Sequence, residues 1–292
     1  MQEKSTPSTG TGPHNSPAPA QDSPIAAILI ATFFLLAPFV GLLIMAPGGN
    51  RGPGEDYRRA VIETVTPKPS QASHKLVSID IHQPVKVVTW AGEKQAPLYK
   101  NAPTAFKETW VTVVPHLKDF CRDYVRSHGS DRGQLTLRLE QRLGLPPGSN
   151  NIWFVELAVP DPSDASKFFR PCGDPSPDTD TCQRASLPKQ ADVYKDLNAV
   201  NNTDKNHQPM DPSGKKKMGI QRWYWFLNKY YTSFATDSPY PWTSLGYTFD
   251  WAPQEDGSEE FVRWGESEFV IAPGTPIQFV SATDTVAYCS SQ

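Results

Sequence analysis

Missing from this 292-residue chain are the short patterns that usually mark catalytic chemistry. It has only four cysteines and six histidines, and they form no C-x-x-C, H-x-x-x-H or H-E-x-x-H. A zinc site needs ligands at such spacings, so no metal is expected. His116 and Cys121 miss the i, i+4 register of a helical pair. Asp174, Asp178 and Asp180 share a loop, but without the glycine and terminal glutamate of a calcium loop they read as solvated charge. No G-x-S-x-G and no Cys–His pattern supports nucleophilic hydrolysis, so the catalytic residues are unknown and no cofactor is implied. Charge of one sign is also lacking, with 28 Lys and Arg against 31 Asp and Glu. A net charge of −3 gives no electrostatic case for nucleic acid as a partner. Lys215, Lys216 and Lys217 are too few to follow a phosphate backbone and read as a solvated loop. No internal repeat is present.

Proline, by contrast, is abundant, with 29 residues spread along the chain. That spread argues for short strands and ordered loops over a helical bundle. Ile25 to Ala46 is a run of 22 residues without a charge. As a helix it reaches about 33 Å, enough to cross a hydrocarbon core of about 30 Å. We read 25–47 as a single transmembrane anchor, kinked at Pro38. A cleaved signal fits less well, because the run is too long for an h-region and only Lys4 precedes it. Residues 1–24 hold five prolines and no aromatic or branched aliphatic residue, the composition of a disordered tail. Residues 48–74 read as a Gly-, Pro- and Ser-rich linker, and 75–292 as the folded domain.

Periodicity outlines that domain. Leu76, Ile79 and Ile81, then Val85, Val87 and Val88, suggest two short strands either side of Pro84. Thr109–Val114 and Trp153–Val159 suggest two more. Leu117, Phe120, Cys121, Tyr124 and Val125 fall on one helix face, with Gly129 placed to stop it. Gln134–Leu143 fits strand or helix, and the following Gly144-Leu145-Pro146-Pro147-Gly148 favours helix. Ile220, Trp223, Leu227, Tyr230 and Phe234 form another helical stripe. Extended pieces follow around 247–251, 261–264, 269–271, 277–280 and 286–288. The expected class is α+β: an antiparallel sheet with two or three packed helices.

Three groups of residues are candidates for function. Cys172 and Cys182 bracket a polar loop that a disulfide closes easily, and Cys121 and Cys289 are the second candidate pair. Trp225, Tyr240 and Trp242 are nominated as exposed rings for stacking on a sugar or a partner's apolar surface, with core packing as the alternative. Asp250, Glu255, Asp256, Glu259, Glu260, Glu266 and Glu268 cluster near the C-terminus. Two of them across a cleft would suit a glycan or cell-wall hydrolase. Glu266 and Glu268 share a face if the segment is a strand. A redox role for Cys172 and Cys182 lacks the C-x-x-C setting that lowers a thiol pKa.

The motifs FFRPC (168–172), Cys182, YPWTSLGYTFDW (240–251) and SEFVI (267–271), with LGLPP (143–147) and WVTVVP (110–115), resemble uncharacterised proteobacterial envelope proteins. The resemblance covers residues 108–271 and implies an extracytoplasmic domain, but no activity. Arg51, Arg58 and Arg59 would place the domain in the cytoplasm by the positive-inside rule. Paired cysteines would place it outside, on the periplasmic side of a cell inner membrane. We follow the cysteines. The expected role is binding, as an accessory subunit or with an envelope protein or glycan as partner; the alternative is an extracytoplasmic hydrolase.

Overall fold

The computed structural model describes residues 52–65, 70–71, 75–173, 176–182, 220–256 and 258–291, which all lie in one compact unit. The tail, the apolar run, Asp174 and residues 183–219, with Lys215, Lys216 and Lys217, lie outside the described residues. Among the described residues, no helix is long and apolar enough to cross a membrane.

β-branched and aromatic residues build an antiparallel sheet. Its strands are Val85–Gly92 (β1), Thr109–Val113 (β2), Asn151–Val159 (β3), Phe168–Phe169 (β4), Tyr247–Pro253 (β5), Phe261–Ile271 (β6) and Gln278–Asp284 (β7). The order is β4-β6-β2-β1-β3-β7, with β5 paired to β6. β6 changes partner along its length: Ser267 pairs with Tyr247 of β5, whereas Glu268 pairs with Thr112 of β2. The α+β expectation holds for this domain.

Side chains alternate across the sheet. Val87, Val111, Leu157 and Phe269 enter a core on one face. Val88, Trp90 and Phe154 enter a second core on the other. That second face is roofed by the helices His116–His128 (α3), Arg132–Arg142 (α4) and Thr285–Ser290 (α6), through Leu117, Leu135, Leu139 and Tyr288. Burial on both faces leaves few exposed positions along β1 and β6, and the polar residues of β6 are buried with the rest.

Four expectations need correction. The segment 48–74 is not wholly a linker, because Pro53–Val65 forms a helix (α1) that buries Tyr57, Ala60 and Val61 against Trp251 and Phe249 of β5 and Phe261 of β6. Leu76–Asp80 is no strand: Leu76 and Ile79 donate backbone hydrogen bonds to Asp180 (2.7 Å) and Pro177 (3.1 Å), so the segment lies along the loop closed by Cys172 and Cys182. The pieces around 261–264 and 269–271 are one strand, β6. Residues 286–288 are helical, because the Asp284 carboxylate accepts the backbone N–H groups of Val286 and Ala287 and caps α6. The remaining helices are Ala96–Tyr99 (α2) and Ile220–Phe234 (α5).

Both cysteine pairings form. Cys121 of α3 joins Cys289 of α6 with Cα atoms 5.1 Å apart, and Cys172 joins Cys182 at 6.2 Å. No cysteine is free. Arg170, fully buried, donates to the carbonyls of Val77 (2.7 Å) and Thr179 (3.0 Å) and lies over the Phe269 ring. One buried cation thus holds the disulfide loop to the sheet.

Candidate functional site

Alternation along β2 sends Trp110 and Thr112 to the helix-covered face, and the register sets Thr112 opposite Glu268. At this point β6 leaves β5 for β2, and the diverging strands leave room between sheet and helices. The result is a cavity of about 120 Å³. Trp90 and Trp110 form part of its wall; Leu117 of α3 and Leu143 after α4 cover it; Tyr240 and Thr248 close one side.

Glu268 is the anomaly in this cavity. It is 3% exposed, and neither its Oε2 nor the adjacent Thr112 Oγ1 has a hydrogen-bond partner. Burial pushes its carboxyl up from 4.5 to about 8. The Tyr240 hydroxyl reaches the Leu143 carbonyl at 3.4 Å. Burial raises it well above its ordinary value, and the nearby Glu268 acts in the same direction.

The other acids are committed or solvated. Asp250 takes a bidentate bond from Arg138 at 3.0 and 2.8 Å, and Glu266 takes Arg142 Nε at 2.7 Å. Both guanidinium groups lie over the Phe120 ring, so this network fastens α4 to β5 and β6. Glu255, Asp256, Glu259 and Glu260 are exposed in the β5–β6 connection. Glu260 there pairs with Arg263.

Of the three nominated rings, Tyr240 lines the cavity, whereas Trp242 is 2% exposed and is core rather than a surface platform. Trp225 is half-buried and stacks on Trp110 at 6.1 Å. Both indole N–H groups donate to Glu108, at 2.9 and 2.6 Å. Lys229 pairs with Glu108 at 2.6 Å and lies over both rings. Trp242 meets Trp110 and Trp225 edge-on at 6.3 Å. The three nominated residues therefore converge around Trp110, whose role sequence reading missed. Trp110 and Thr112 alternate to one face of the β2 run, and that spacing was the available signal.

Among the described residues, no group of His, Cys, Asp and Glu is placed to hold a metal ion. No known protein family, curated protein or solved structure matches this chain.

Proposed function

We propose that the chain is a membrane-anchored accessory protein of the cell envelope that acts by binding, its domain facing an oxidising compartment. The observation that carries this reading is the pairing of all four cysteines. Disulfides persist outside the cytoplasm, where thiols are not kept reduced. The apolar run of 25–46 supplies the anchor. Binding is favoured over glycan hydrolysis by the state of the carboxylates. Asp250 and Glu266 are each engaged by arginine, and the loop acids face solvent. The cavity at Glu268, about 120 Å³, is well below the roughly 300–1,000 Å³ usual for a small-molecule site that encloses its substrate.

Mass-tag labelling of free thiols on denatured, unreduced protein taken directly from cells tests the compartment. No labelled cysteine is the expected result. Four labelled cysteines would place the domain in the cytoplasm and remove the envelope reading.

A further inference from the structure

We propose that the cavity between β2, β6 and the covering helices binds a small primary alkylammonium ion, with Glu268 as its counter-ion. Three observations point to a cationic guest. The Glu268 carboxyl is buried with an oxygen that has no partner, beside an equally unpartnered Thr112 hydroxyl. Cations on the elements packed around it are engaged elsewhere: Arg138 and Arg142 of α4 with Asp250 of β5 and Glu266 of β6, Lys229 of α5 with Glu108, and Lys118 of α3 over the Tyr288 ring. Among the described residues, Tyr240 is the one other titratable side chain lining the cavity. Its wall of Trp90, Trp110 and Tyr240 is also the aromatic surface to which cations are drawn.

Size limits the guest. A cavity of 120 Å³ corresponds to about four water molecules, which suits an ammonium group on a short alkyl chain and excludes a sugar ring with its neighbours. Charge balance follows from the state of the empty site. Glu268, held up to about 8, carries its proton at pH 7. The alkylammonium enters as a cation, the carboxyl proton leaves to solvent, and the cavity stays neutral throughout. The inference does not rest on the envelope reading, and thiol labelling decides nothing about it.

The test is calorimetry on the full chain in detergent micelles, with n-propylammonium chloride as the probe. Phosphate and HEPES buffers, which differ in ionisation enthalpy, reveal the proton. The expected result at pH 7 is binding with release of about 0.9 proton, and affinity rising nearly tenfold from pH 6 to 7. E268Q should abolish binding; E255Q, in the exposed β5–β6 connection, should leave it unchanged. Absence of binding, pH-independent binding, or equal binding of neutral n-propanol would overturn the proposal. Retained binding in a folded E268Q would do the same. If E268Q does not fold, the pH slope and the propanol comparison decide on the wild-type chain.

Discussion

Between pH 4.5 and about 8, the Glu268 carboxyl holds its proton in the folded protein and loses it in the unfolded chain. The folded state then binds more protons, so stability falls as pH rises through this window and levels off on either side. The slope from one such group is about 1.4 kcal/mol per pH unit. E268Q, which cannot ionise, should lack this contribution and gain on the wild type by a few kcal/mol at pH 8. Urea midpoints at pH 5, 7 and 9 check it: the two curves should separate with rising pH, and parallel curves would contradict the assignment. Gly265 acts sterically instead. A Cβ there would meet the Thr248 hydroxyl and backbone and come within 2.5 Å of the Arg142 carbonyl. Thr248 cannot move away, because its hydroxyl accepts the Glu266 N–H and donates to the Arg142 carbonyl, both at 2.8 Å. Gly265→Ala should cost about 3 kcal/mol or more, read as a lowered thermal midpoint.

At the scale of elements, α1 belongs to the folded unit. Its Tyr57 ring meets Trp251 edge-on at 5.7 Å, and the Tyr57 hydroxyl donates to the Pro239 carbonyl at 3.0 Å. A chain beginning at Lys75 should expose Trp251 and Phe261, bind a hydrophobic dye and unfold at lower urea than one beginning at Gly52. Equal midpoints would show that α1 contributes nothing. The fastening of α4 to β6 can be separated from hydrophobic packing by a double-mutant cycle. Arg142→Leu alone leaves Glu266 buried without its partner and should cost about 3 kcal/mol. Adding Glu266→Leu should recover most of that loss, because removing both charges also removes the desolvation cost.

On the scale of the whole molecule, the two disulfides constrain the chain unequally. Cys121–Cys289 spans 168 residues and ties α3 to the C-terminal α6, whereas Cys172–Cys182 spans 10. In the chain-entropy account these closures stabilise by about 5 and about 3 kcal/mol. Paired serine substitutions should therefore lower the urea midpoint more for Cys121 and Cys289 than for Cys172 and Cys182. The reverse order would mean that the smaller loop, held by Arg170, carries structure that the larger one does not.

Sequence by itself determined the elements whose apolar periodicity is strong. These are the strands at Thr109–Val113 and Asn151–Val159, the helices at His116–His128 and Ile220–Phe234, and the α+β class. Each is set by local spacing; which cysteine joins which was decided by the fold, since four cysteines allow three connectivities. Tertiary structure decided the rest. Pro53–Val65 carries helical spacing in Tyr57, Ala60, Val61 and Thr64, but only the fold brings up the faces of β5 and β6 on which that stripe packs. Trp242 went inside because Trp110 and Trp225 come together around it from distant positions. Glu266 and Glu268, two residues apart on one strand, met different surroundings for the same reason. Arg142 reaches one, and the switch of β6 from β5 to β2 seals the other in a cavity without a partner. The partners of a carboxylate depend on what long-range packing brings to it, and spacing along the chain carries no record of that.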